Sequence, residues 1–327
     1  MTGIAMARKE PFQPNPEQLK LAPDISGREI NGVGESGRRR PTRIYWHDPD
    51  TIAHGKMQLW FYSQNNSARA AEARRIAYQI DALPLPDIAG KKEQAPAGEW
   101  TAKVKELALR ASAESVGIAR MRPEWLFEGS DLDYRWIIIV AMKMDFDNLA
   151  QAPSVTTSVE TMAQYSRGAK IAKTVAGWIR ERGWDAHPHC GPASGPVLLI
   201  PAAIEAGIGQ LGKHGSMISR QHGSNFRLAG IMTDLPLIAD EPADFGSDDF
   251  CQSCKICIDA CPPLAIGNEK QMVRGDRKWY TDFDRCVYYF NENMSCAICL
   301  AVCPWSKPGA APKLAEKMLR RRQKAGA

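Results

Sequence analysis

The sequence predicts an α+β fold: an α/β sandwich of helices and strands, followed by a cysteine-rich module. Three observations carry this. Helix-like and strand-like stretches alternate up to about residue 245. One unbroken apolar run, Trp136-Ile137-Ile138-Ile139-Val140-Ala141-Met142, has the composition of a strand buried on both faces. Eight of the nine cysteines crowd between Cys251 and Cys303.

Residues 1–40 are rich in Pro, Gly and charge and read as an extended arm, laid over a partner or over the chain's own domain. Strong helix formers predict a helix over 66–82, and Pro84, Pro86, Gly90 and Pro96 make 84–99 a loop. Val104, Leu107, Leu109 and Val116 predict a second helix over 101–116 with Gly117 as its C-cap. The apolar run at 136–142 is the central strand. A long helix fits 158–182, and an apolar one fits 198–206, closed by Gly207. Leu228–Met232 is a short strand stopped by Thr233-Asp234-Leu235-Pro236. The tail carries Lys313, Lys317, Arg320, Arg321, Arg322 and Lys324 and reads as a solvated helix end. The expected domains are an N-terminal arm and variable region (1–100), a core (101–245), a cysteine module (246–305) and a basic tail (306–327).

Of 327 residues, 42 are Lys or Arg and 37 Asp or Glu, a net +5 too small to argue for nucleic acid. No apolar run approaches the ~18 residues of a membrane span. Met1–Lys20 has no apolar h-region, and Arg38-Arg39-Arg40 is followed by Pro41-Thr42-Arg43-Ile44 rather than an apolar stretch. The expectation is therefore a cytoplasmic chain, where clustered cysteines serve as metal ligands more often than as disulfides.

The first cysteine block is Cys251-x2-Cys254-x2-Cys257-x3-Cys261-Pro262, and the second is Cys286-x9-Cys296-x2-Cys299-x3-Cys303-Pro304. The first is the bacterial ferredoxin run, whose fourth cysteine ligates the other cluster. Two [4Fe–4S] clusters follow: cluster A on Cys251, Cys254, Cys257 and Cys303, and cluster B on Cys261, Cys286, Cys296 and Cys299. A pair of zinc sites is the bland alternative, but zinc knuckles do not use this repeated run. Cys190 is left over and expected to be a buried free thiol. Two adjacent clusters make a short electron wire, and about 250 residues outside the module leave room for its terminus.

Ala206-Gly207-Ile208-Gly209-Gln210-Leu211-Gly212-Lys213-His214-Gly215, then Ser219–Arg227, Thr233-Asp234-Leu235-Pro236-Leu237 and Phe250-Cys251, together with Gln164-Tyr165-Ser166 and Arg182-Gly183-Trp184-Asp185-Ala186, resemble the reductive dehalogenase core over roughly 115–305. The resemblance implies a nitroreductase-like core holding a base-off cobalamin, capped by the ferredoxin-like module. By position in the matched motifs, Tyr165 is the proton donor and Arg227 the cation that assists it. The resemblance also assigns His189, Gly207, Gly209 and Lys213 to the cofactor site. It departs from the family pattern at Gln210 for Glu, at Lys213 for Arg and at Ser219-Arg220-Gln221.

The residues alone leave other readings open. The three glycines 207, 209 and 212 serve equally as packing or turn glycines, and the βαβ frame of a dinucleotide site is missing around them. His187-Pro188-His189 reads as a loop whose histidines line a cavity, bind metal or face solvent. Tyr165 without the family is an ordinary helix tyrosine. The expected activity is reductive cleavage of a carbon–halogen bond. The alternatives are an iron–sulfur electron-transfer protein, a non-dehalogenating homologue and, third, an epoxyqueuosine reductase-like enzyme. Expected partners are an external electron donor (ferredoxin, flavodoxin or reductase), a small halogenated organic substrate and a second copy of the chain in a homodimer.

Overall fold

The structure is a computed structural model that describes residues 12–189 and 195–325. Cys190 therefore lies outside the described residues. The N-terminal segment holds α1 (Pro16–Leu19), α2 (Gly27–Ile30), α3 (Gly55–Gln64) and α4 (Ala68–Asp81). The core then runs α5 (Ala97–Arg110), β1 (Ser115–Arg120), β2 (Trp136–Lys143), α6 (Phe146–Leu149), α7 (Val155–Arg180) and β3 (Ala186–His189). It continues with α8 (Leu199–Glu205), β4 (Gln210–Leu211), β5 (Met217–Ile218) and β6 (Phe226–Thr233). The cysteine module contains α9 (Ser247–Ser253), α10 (Ile256–Ala260), β7 (Gln271–Val273), β8 (Asp276–Lys278), α11 (Phe283–Glu292) and α12 (Ile298–Ala301), and α13 (Ala310–Ala325) closes the chain.

The main sheet has the order β1-β2-β6-β3, antiparallel throughout. Its two faces bury separate cores. Ile138, Val140 and Met142 of β2 point to α5 and α7, where Trp100, Val104, Ile171 and Val175 wait. Ile137, Ile139 and Ala141 point to α8 and its Ala202 and Ala203. The unbroken apolar run is thus a strand covered on both faces, reached in an antiparallel sheet because helices lie on each side of it.

Two sequence expectations are corrected here. The second helix ends at Arg110, and Ser112 adopts a left-handed φ of 77° that turns the chain. Val116 and Gly117 then enter β1. Gly117 is no cap: a Cβ there would lie 2.1 Å from the Ala206 carbonyl oxygen, so glycine permits the close approach of β1 to the end of α8. His187-Pro188-His189 is not a loop but β3. Pro188 is tolerated because β3 is an edge strand of the sheet.

The first 65 residues, where described, fold back onto the module. Gly27 N donates to Asp284 Oδ1 at 2.6 Å, Arg28 pairs with Asp282 at 3.0 Å, and the Tyr45 hydroxyl donates to Asn291 at 2.7 Å. Tyr45, Met57 and Val287 share a small core there. The arm thus covers the chain's own domain rather than reaching away. The tail is more than a solvated end: Ala311, Ala315 and Met318, spaced i, i+4, i+7, pack beside Phe245, Trp305 and Cys303. Most of its basic residues are exposed, while Arg322, one turn beyond Met318 on the same stripe, pairs with Asp244 (2.8 Å) and Asp249 (2.5 Å). Among the described residues no helix is long and apolar enough to cross a membrane.

Candidate functional site

Helix α7 starts at a Ser154 N-cap, whose side chain accepts from Thr157 N at 3.2 Å. From there Thr157, Ser158, Thr161, Met162 and Tyr165 fall on one stripe of the helix and line a cavity of about 330 Å³. One turn further on, Gly168 lets α7 settle on the sheet, since a Cβ there would sit 2.5 Å from Met142 Cε. Met142 is the cross-strand partner of Arg227 on β6, which brings Arg227 to the same cavity. Arg227 Nη2 donates to Thr161 Oγ1 at 3.4 Å, and its Nε is buried with no partner. Thr281 Oγ1, also on the wall, is buried and unpartnered as well. Among the described residues no hydrogen bond engages the Tyr165 hydroxyl.

The opposite wall is the second cysteine block: Cys286 from α11, Cys296, Cys299 and the loop between them. In this loop Met294, Ser295, Cys296 and Ala297 have φ of 49°, 70°, 54° and 66°, four consecutive non-glycine residues in the left-handed region. Such residues cost about 1 kcal/mol or more each and persist only where the surroundings hold them. Here Asn65 Oδ1 accepts from Met294 N (3.0 Å), the Phe290 carbonyl from Ser295 N (3.2 Å) and the Asn293 carbonyl from Cys296 N (2.7 Å).

All eight module cysteines are free thiols. They gather in two groups. Burial, then the neighbouring thiolates of Cys303, Cys251 and Cys254, push Cys257 up to about 12, and burial with Cys303 and Cys254 nearby raises Cys251 to about 11. Burial with Cys296 and Cys261 beside it raises Cys286 to about 12, and Cys299 rises well above a free thiol for the same reasons. Cys299 also feels Cys257, where the two groups approach each other. Cys251, Cys254, Cys257 and Cys303 act on one another, and Cys261, Cys286, Cys296 and Cys299 do likewise.

Backbone donors are aimed at several of these sulfurs. Ala265 N donates to Cys261 Sγ at 3.3 Å, Lys213 N to Cys251, Ile298 N to Cys296, and the amides of Trp305 and Ser306 to Cys303. The Ser224 hydroxyl also donates to Cys303 Sγ, at 4.0 Å, and lies 2.9 Å from His214 Nε2. His214 Nδ1 accepts from Ser216 N, so Nε2 carries the proton, and burial holds this imidazole neutral with a pKa of about 4. N–H donors around thiolates are what an iron–sulfur cluster uses to offset its negative charge, so the residues fit two clusters. Among the described residues no three His, Cys, Asp or Glu side chains converge on a single ion. Core and module meet at Gly223 (φ 60°), where a Cβ would lie 1.9 Å from the Trp305 carbonyl oxygen.

The structure thus brings Tyr165 and Arg227 together with three of the four cysteines expected for cluster B, Cys286, Cys296 and Cys299, around one cavity. It places the four expected cofactor residues elsewhere. Gly207 (φ 72°) ends α8, and a Cβ on Gly209 would meet the Ile218 carbonyl oxygen at 2.3 Å. Both are sites of close backbone approach. His189 is buried on β3, close enough to His187 and His47 for their charges to act on it. Lys213 is turned toward the carbonyl of Cys254, away from the cavity. Missed from sequence were Thr157, Ser158, Thr161 and Met162, although the helical period from Tyr165 reaches all of them. Trp46, Tyr62, Arg74 and Tyr78, at the mouth, had no local signal at all.

A 4Fe-4S dicluster domain matches residues 250–307. A tetrachloroethene reductive dehalogenase of Dehalobacter restrictus is 34% identical over 207 residues, covering 59% of this chain and 37% of that protein. An epoxyqueuosine reductase of Cyclobacterium marinum is 32% identical over 146 residues, 39% of this chain and 43% of that one. Among solved structures, a catabolic reductive dehalogenase, NpRdhA, in complex with 3-bromo-4-hydroxybenzoic acid superposes with a TM-score of 0.74 at 22% identity, over 89% of this chain and 46% of the other. The chain thus spans less than half the length of each of these relatives. In sequence this chain is a relative of the reductive dehalogenases, and it shares their mixed helix-and-strand fold with a 4Fe-4S dicluster domain toward the C-terminus.

Proposed function

We infer that the chain is an oxidoreductase of the reductive dehalogenase type. Electrons from an external ferredoxin, flavodoxin or reductase enter at cluster A, pass to cluster B and are used in the cavity to cleave a carbon–halogen bond of a small organohalide. The observation that carries this is the cavity itself: Cys286, Cys296 and Cys299 form one wall while Tyr165 and Arg227 stand on the others. No cluster A cysteine lines it, which supports the order A before B.

The resemblance calls for a cobalamin, and the cavity's chemistry suits one. A hydroxyl-bearing face of α7 and two buried polar atoms without partners, Arg227 Nε and Thr281 Oγ1, are ready for polar substituents. When bound, the corrinoid supplies a low-valent cobalt able to break the carbon–halogen bond. The net reaction consumes two electrons and one proton, releasing halide and leaving hydrogen on the carbon.

Tyr165 gives that proton from its hydroxyl. Arg227 lines the same cavity, and a guanidinium cannot itself give up a proton, so it assists rather than donates. Thr161 fixes the guanidinium, and water reprotonates the phenolate between turnovers.

The test is halide release. Holoprotein with clusters and cobalamin, given a low-potential chemical reductant and a halogenated phenol or alkene, should release one halide per substrate reduced. Loaded protein that is re-oxidised by none of these substrates, but passes electrons to an acceptor protein, would instead favour a pure electron-transfer role.

A further inference from the structure

Lys213 is 1% exposed, a charged side chain taken almost wholly out of water. Its ammonium donates to the Cys254 carbonyl at 2.9 Å, to Asn268 Oδ1 at 3.0 Å and to the Gln252 carbonyl at 3.5 Å, and it lies over the Trp279 ring at 4.9 Å. Every one of these partners is neutral. Asp248, whose charge reaches Cys251, is bonded instead to Lys270 (2.7 Å) and to the Trp279 indole N–H (2.7 Å). A buried ammonium with dipoles but no counter-ion costs several kcal/mol, so such groups are normally paired.

The missing negative charge is beside it. The backbone N–H of Lys213 donates to Cys251, its ammonium holds the carbonyl of Cys254, and its charge acts on Cys257. Three of the four cluster A cysteines therefore meet this one residue, and no shifted cluster B cysteine feels its charge. A four-iron cluster with four thiolates is doubly negative when oxidised and triply negative when reduced.

We propose that Lys213 is the built-in counter-ion of cluster A, a positioning residue that stabilises its reduced state and raises its reduction potential. The site takes the anionic iron–sulfur cluster, and its charge makes cluster A easier to reduce than the same cluster without Lys213. The inference rests on the dicluster reading of the module and not on dehalogenation, so it stands or falls without a corrinoid or a substrate.

The experiment is a potentiometric titration followed by EPR on the reconstituted full chain, free of cobalamin. The cluster A wave is identified as the one that Cys257→Ser removes. Lys213→Gln should move that wave to lower potential and leave the other in place, while Lys213→Arg, which keeps the charge, should stay near wild type. Asn268→Asp sets a carboxylate against the ammonium at an exposed position and should shift the same wave in the same direction. An unmoved cluster A wave in Lys213→Gln, or an equal shift in Lys213→Arg, overturns the proposal. Should Lys213→Gln fail to assemble cluster A, Asn268→Asp alone decides: a shift supports the counter-ion and no shift refutes it.

Discussion

Arg227 on β6 reaches Thr161 on α7 with a 3.4 Å hydrogen bond, and Tyr165 stands one helical turn beyond Thr161 on the same face. All three line the same cavity. Tyr165→Phe, with clusters and corrinoid intact, should lower turnover by about 10²–10⁴-fold, the usual worth of general acid catalysis. Thr161→Val leaves the guanidinium charged but loosely held and should cost roughly tenfold, the worth of one hydrogen bond. Near wild-type turnover in Tyr165→Phe would remove Tyr165 from the chemistry.

Two four-cysteine clusters would set the metal content. Reconstituted protein should hold about eight iron and eight sulfide per chain. Cys257→Ser should halve the iron, and Cys190→Ala should leave it unchanged, since eight ligands already suffice. Iron-free protein with one zinc per block would show that the blocks are not cluster sites.

The core–module joint has its own test. Gly223→Ala places a Cβ on the Trp305 carbonyl, in a left-handed conformation that alanine disfavours by about 1 kcal/mol or more. Movement of Trp305 withdraws an amide from Cys303. The variant should melt several degrees lower and lose cluster A iron faster under chelator than wild type. Equal iron-release rates would mean the joint is not so tight.

Burial, then the charges of His187 and His47, hold His189 at a pKa of about 4, below its ordinary value of about 6.5. Between these values the unfolded chain binds a proton that the folded one refuses. The contribution of His189 is therefore complete above about pH 6.5 and is lost as pH falls toward 4, by about 1.4 kcal/mol per pH unit. His189→Gln should flatten the fall of melting temperature over this range. An unchanged slope would show that His189 is already charged in the native state.

Local spacing made the dicluster module legible, because a ferredoxin run is written over a dozen consecutive residues. The apolar run gave β2 and the helical period gave α7, with Tyr165 on it. What stayed hidden was non-local. Val116 and Gly117 continue a helical pattern, but pairing with β2 and the turn at Ser112 draw them into a strand. Pro188 suggests a loop until the sheet order shows an edge. Trp46, Tyr62, Arg74 and Tyr78 reach the cavity only because residues 12–81 fold back over α11 and α7, a tertiary arrangement no window of sequence contains. Lys213 sat in a matched motif, yet its partners lie 39 to 55 residues further on, in the module.

In the function proposed, cluster B feeds a corrinoid held in the cavity it helps to wall. The most direct measurement is cobalt and iron analysis, with an absorption spectrum, of protein reconstituted anaerobically with iron, sulfide and cobalamin and then desalted. About one cobalt for every eight iron is expected, with both chromophores in the spectrum. Eight iron retained with no cobalt would contradict it.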